Sequence, residues 1–123
     1  MYNSSAHITV IAGESIPSNV RVKLKTGTTT NPPEVVIAGD TDQFIGFSHP
    51  VPIGPNWVQG KAMGVNLKIP GIHEAVAAKA IAVGANLYVA ADGKLSDAGT
   101  VLADAVAFTS AAADGDLFSF IYT

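Results

Sequence analysis

The sequence predicts an all-β fold with little helix: a small β-barrel or sandwich built from two pseudo-repeated β units. Three observations carry that prediction. Turn formers recur at short intervals along the 123 residues, among them Gly13, Pro17, Pro32-Pro33, Gly54-Pro55, Pro70-Gly71, Asp92-Gly93 and Gly115. The stretches between them are short and rich in β-branched and aromatic residues, as many small strands joined by tight turns require. Finally, the two halves of the chain align with one another.

Each element follows from its local pattern. Residues 7–11, His-Ile-Thr-Val-Ile, form a strand. Residues 20–25, Val-Arg-Val-Lys-Leu-Lys, alternate apolar and basic, which puts Arg21, Lys23 and Lys25 together on a wet face or edge. Two short strands follow at 34–37 and 44–47, and a longer one at 57–69 that Gly60 and Gly64 bend or bulge. Residues 74–82 are Ala-rich and favour helix by intrinsic propensity. Their partner in the first half, 7–15, carries a plain strand run, so 72–77 is expected as strand with at most one helical turn near 79–82. Residues 86–90 and 94–95 flank Asp92-Gly93, a pair that supplies the positive φ of a tight hairpin. Strands at 101–109 and 117–122 complete the fold.

The repeat sets Ile16-Pro17-Ser18-Asn19-Val20-Arg21-Val22 on Val83-Gly84-Ala85-Asn86-Leu87-Tyr88-Val89 and residues 42–47 on 103–108. The implied displacements are 67 and 61 positions, with Gly54 on Gly115 and Trp57 on Phe118. Two half-cored copies are expected to pack face to face. Residues 1–7 read as an N-terminal arm, and 8–123 as one domain with halves at about 8–68 and 72–123.

Composition narrows the function classes. Apolar residues make up 48% and charged residues 14%, against about 25% charged in an ordinary soluble domain. Mean hydropathy is +0.33. Such a chain is not disordered. A net charge of -3 argues against nucleic acid, whose binding needs clustered Lys and Arg. Without cysteine there is no disulfide, thiolate nucleophile or Cys-bound metal. No stretch approaches the roughly 20 apolar residues of a membrane helix, and the polar N-terminus lacks the features of a secretory signal. The chain is therefore expected to be made in the cytosol and soluble. Charge guards a protein against association, so part of the apolar surplus is expected to be buried between copies.

No catalytic motif emerges: no phosphate loop, dinucleotide fingerprint, H-E-x-x-H or G-x-S-x-G occurs. His7, His49 and His73 lie far apart, and only a threefold axis gathering copies of one of them would make a metal site. The close carboxylate pairs, Asp40 with Asp42 and Asp114 with Asp116, sit in turns, where Asp ordinarily bonds its own backbone. Asp97 and Asp104 read as turn or strand-end residues. Residues 26–33, Thr-Gly-Thr-Thr-Thr-Asn-Pro-Pro, are a solvated connection or a contact loop. Trp57, just past a turn, is a lid on the core or an interface anchor. Tyr2, with Asn3, Ser4 and Ser5, is a candidate docking arm at the terminus.

The C-terminal half carries a resemblance. Residues 80–95 (Ala-Ile-Ala-Val-Gly-Ala-Asn-Leu-Tyr-Val-Ala-Ala-Asp-Gly-Lys-Leu), the strand Ala105-Val106-Ala107-Phe108 and residues 112–120 (Ala-Ala-Asp-Gly-Asp-Leu-Phe-Ser-Phe) resemble the capsid decoration (cement) proteins of tailed bacteriophages. The similar pieces are an "Ala-Gly-Asp-x-Leu-x-Val" run, an "Asp-Gly-Lys" hairpin and a closing "Ala-Gly-Asp-x-Val-x-Val" strand. The resemblance covers about residues 65–123. It implies a non-enzymatic β-barrel, without cofactor or metal, made in the host cytoplasm and carried on the outer surface of the phage head. It further implies a homotrimer that bridges neighbouring major capsid protein subunits, with Tyr2 to Ser5 reaching the shell. The alternative is a virion fibre or tail β-module that binds a receptor or glycan. A small β-barrel enzyme is the third class.

Overall fold

In the first half, β1 (His7–Ala12) runs antiparallel to β7 (Ala62–Leu67) and parallel to β4 (Glu34–Ile37). β3 (Arg21–Leu24) lies between β4 and β5 (Gly46–Ser48), and β5 returns to β7, closing a five-stranded barrel. β2 (Ile16–Pro17) and β6 (Asn56–Trp57) form a short ribbon beside it. The structure, a computed structural model, describes residues 7–123.

The second half repeats this order strand for strand. β8 (Ile72–Val76), β9 (Asn86–Val89), β10 (Leu95–Ser96), β11 (Leu102–Ala107) and β12 (Leu117–Tyr122) form a sheet in the order β10-β9-β11-β12-β8. A parallel bridge from Ala77 to Leu95 joins its two outermost strands, as the parallel β1–β4 pairing does in the first barrel. The all-β expectation holds. Among the described residues there is no α-helix, and a single tight turn at Ala91–Gly93 connects β9 to β10. Asp92 and Gly93 there have φ of 59° and 73°, as the Asp-Gly pair predicts. Residues 72–76 are strand. Residues 79–82 hold no helical turn; Ile81 instead bridges to Ala111.

The registers fix the repeat and correct its alignment. His7↔Asn66 in the first barrel becomes Ile72↔Ile121 in the second, and Arg21↔Phe47 becomes Asn86↔Val106. Thus β1 and β3 map onto β8 and β9 at a displacement of 65, not 67, and β5 maps onto β11 at 59, not 61. β7 maps onto β12 at 55. The residue matching Asn19 (φ 60°) is Gly84 (φ 84°); it is not Asn86. Trp57, which pairs with Ile16, falls beside Ala111, the partner of Ile81, and not on Phe118. A slip of two residues keeps every side chain on its own face of a strand, so hydropathy alone does not detect it.

Each half has a core of its own, so the halves are not two open sheets sharing one. Val10, Val22, Val35 and Val65 fill the first barrel. The second is lined by small residues, Ala75, Ala77, Ala105 and Ala107, which leave room for Phe118 and Phe120 from β12. Phe44 and Phe47 belong to the first half, yet they pack into this second core, with the Phe47 ring 5.0 Å from that of Phe120.

Tyr122 ends β12 with its ring 5.1 Å from Phe120, and its buried hydroxyl meets no hydrogen-bond partner among the described residues. A buried hydroxyl without a partner carries its full desolvation cost. Tyr122→Phe is therefore expected to match the parent at neutral pH or exceed it by about 1 kcal/mol. Burial also pushes the phenol above its ordinary 10.0. The unfolded chain then ionises first, so the parent's stability is unaffected by this titration below about pH 10 and falls as pH rises further. Urea titrations on both sides of that pH check both points: the variant loses less stability than the parent on the alkaline side.

Candidate functional site

At the junction between the barrels, Arg21 bonds to carbonyls of both halves. The alternation of residues 20–25 predicts a solvated Arg21; it is instead 0% exposed. Its side chain leaves the outer face of β3, where the second barrel covers it. Nε donates to the Lys94 carbonyl (3.1 Å), and the terminal nitrogens donate to the carbonyls of Gly39 (3.0 Å), Asp42 (3.4 Å), Ala38 (3.5 Å) and Ala90. One guanidinium fork thus satisfies backbone acceptors from both halves. Burial lowers its pKa to about 10, with Asp42 and Asp40 opposing the shift, so it remains a cation at neutral pH. Gly93 allows the close approach: a Cβ there would stand 2.8 Å from that of Val20.

The rest of the supposed basic stripe is tied down locally. Lys23 pairs with Asp42 at 2.8 Å, and Lys25 with Glu34 at 3.3 Å. Leu24, expected inward, is 50% exposed. Asp42 also accepts the Gly39 N–H at 2.7 Å. The Lys23 contact first and the Gly39 bond second hold its carboxyl below the usual range. Asp116 accepts from the N–H groups of Ala112 and Ala113, and Asp114 pairs with Lys94. Asp42 and Asp116 therefore order turns, as their setting implied, whereas Asp114 serves an ion pair.

Sequence distance misled about the histidines. The rings of His7 and His49 meet edge-on at 5.1 Å, and His49 Nε2 lies 2.9 Å from Asn66 Oδ1. His73 stacks on Phe120 and bonds the Ile69 carbonyl at 2.8 Å. Among the described residues no three His, Asp or Glu side chains gather in the manner of metal ligands. Two shallow depressions flank the junction. One, of about 390 Å³, includes Asn19, Asn66, His73 and Glu74. The other, of about 340 Å³, includes Asp40, Lys79 and Ser96. In the second, Ser96 Oγ accepts the Ala98 N–H and Lys79 pairs with Asp97, so its serine is not paired with a base.

Trp57 is half-buried against the first core, and its indole N–H donates to the His49 carbonyl at 2.9 Å. That placement is the lid role; beside it, Val58 is 62% exposed. Residues 26–33 form the connection between β3 and β4, and Thr28 Oγ1 accepts the Glu34 N–H. Tyr2, Asn3, Ser4 and Ser5 lie outside the described residues. Exposed large apolar side chains are the remaining surface feature: Ile53, Val58, Ile72, Val83, Leu102, Phe108 and Leu117 all stand at least half in solvent. Single exposed apolar residues are ordinary; a contiguous apolar patch is what marks a contact surface.

No protein-family model matches the sequence, and no curated protein matches it. The class is set by the fold, two small all-β barrels in tandem within one chain. Among solved structures, the head fiber gp8.5 N base of bacteriophage phi29 shares it at a TM-score of 0.71. That likeness covers 95% of this chain and 92% of the other at 17% identity. It is a likeness of fold.

Proposed function

We propose that this protein is a structural component of a tailed-phage head, a decoration (cement) protein that binds the outside of the mature capsid as a homotrimer. The observation that carries this reading is the fold shared with a phage head-fiber base along nearly the whole chain. The charge-poor composition and the exposed apolar side chains support it. The protein acts by binding and has no catalytic step. A ligand that binds only the expanded lattice stabilises that lattice by mass action, about 2.7 kcal/mol per site at a hundredfold excess over Kd. Many sites on one shell multiply the gain. The major capsid protein is the partner, and Tyr2 to Ser5 form the arm that reaches it. Val58, exposed beside the Trp57 lid, contributes a second anchor.

A fibre base on the head is the second reading, favoured by the structural neighbour being a head-fiber base. In that role the module would carry a receptor- or glycan-binding part and leave shell strength unchanged. Heating purified heads with and without the protein separates the two: decoration raises the temperature at which DNA escapes, and a fibre base leaves it where it was. Deleting residues 2–5 is expected to weaken head binding at least tenfold while the melting temperature of the free protein stays the same. Fluorescence binding to heads and a thermal melt check the two halves of that prediction.

A further inference from the structure

We infer that the outer face of the second barrel, along Val106, Ile121 and Ile72, seats the first barrel of another copy of this chain. The inference deepens the homotrimer reading above and rests on it for the number of copies; the surface itself follows from the repeat.

In the first barrel, one cross-strand row on the outer face runs Arg21–Phe47–Asn66–His7. Its Arg21 and Phe47 ends are buried against the second barrel, through the carbonyls of Ala90 and Lys94 and the ring of Phe120. The row in the same register on the second barrel is Asn86–Val106–Ile121–Ile72. Nothing in the described chain covers it: Ile72 is 60% exposed and Ile121 37%. Phe108, two residues beyond Val106 on the same strand path, is 52% exposed. The solvated face of an antiparallel sheet ordinarily carries polar side chains, yet this row is apolar from Val106 to Ile72. Asn86 and the neighbouring pair Glu74–Ser119 supply a polar border, the arrangement of an interface core and its rim.

The occupant follows from how the same row is used within the chain. That contact is head-to-tail: the outer face of one barrel meets the side of the next that carries the turn between its second and third barrel strands, here Ala91–Gly93. A head-to-tail contact leaves one surface of each kind unused. The unused face is Val106–Ile121–Ile72. The unused turn side is that of the first barrel, carrying residues 26–33. The two turns are counterparts, because Lys25 N–H donates to the Glu34 carbonyl (2.9 Å) as Ala90 N–H donates to that of Lys94 (3.0 Å). Only another copy brings these two surfaces together, and closure of the series gives a ring, three chains supplying six barrels. Asn86 stands where Arg21 stands in the first barrel, so the carbonyl clamp is not reproduced. The contact between chains is apolar and looser than the one within a chain.

The test is the mass in solution, by sedimentation equilibrium, of the full chain, of Ile121→Asp and of Ile53→Asp, an apolar site off the row that is 89% exposed. The parent and I53D are expected as trimers, and I121D as a folded monomer with the parent's circular dichroism. A trimeric I121D overturns the assignment of the face while leaving head binding untouched. A monomeric parent overturns both the face and the trimer, and its binding to heads then decides the fate of the decoration reading separately. A second measurement covers the case in which I121D fails to fold. Because the chain has no cysteine, the pair Ile121→Cys with Thr29→Cys is expected to link chains under oxidation, and neither single variant is. Linkage of I121C alone means that like faces meet, which overturns the head-to-tail arrangement.

Discussion

Arg21→Met is expected to cost about 3 kcal/mol of folding stability, read as a lowered urea midpoint with an unchanged slope. Met fills the space of the stem but donates nothing. The carbonyls of Ala38 and Ala90 then lose the donor that satisfies them inside the junction, while those of Gly39 and Lys94 keep the N–H groups of Asp42 and Ala90. Each buried acceptor left bare costs about 1–3 kcal/mol. The full sum is not expected, because burying the guanidinium is itself unfavourable, as its lowered pKa records. Arg21→Lys is expected to fall close to the Met variant, since one ammonium cannot span acceptors spread over two barrels. A Met variant as stable as the parent would mean that the junction is held by packing alone.

Phe120→Ala carries the other large effect, a loss of about 3–5 kcal/mol. The ring is fully buried and touches Phe47, His73 and Tyr122. Its partner on β11 is Ala107, and Ala75 stands next to its partner His73 on the inner side of β8; alanines have no length with which to close the gap, so the cavity persists. Of the total stability of a small domain, about 5–15 kcal/mol, that is a large share. Phe120→Leu keeps most of the volume and is expected to lose about 1.5 kcal/mol or less. Urea unfolding of the pair checks the ordering. Because Phe47 enters the same core from the first barrel, unfolding should remain one transition in both variants.

Much of the fold was legible because it is local. Gly, Pro and Asp-Gly turns mark where strands end, and β-branched runs mark the strands themselves. The comparison of halves read residues 72–77 as strand against their alanine content, and 72–76 are strand with Ala77 bridging to Leu95. The alignment slipped by two residues because strands repeat every two, and only pairing across the barrel, His7 with Asn66 and Ile72 with Ile121, fixes the register. Arg21 was misread for a related reason. Alternation tells inside from outside for one barrel and carries no information about a second barrel laid on the outside. A usable signal was present: Phe47, a large aromatic on the outward side of β5, has no place on a wet face. The contact of His7 with His49 depends on β1 and the end of β5 flanking β7, which residue spacing does not reveal.

On the proposed function, this small, charge-poor pair of barrels binds a protein shell. Sedimenting it with purified heads of the phage to which the proposed function assigns it, prepared without their own copies and in expanded and unexpanded forms, tests this directly. The predicted result is saturable pelleting with expanded heads, at a copy number divisible by three, and little with unexpanded ones. A protein that stays in the supernatant with both forms contradicts the account.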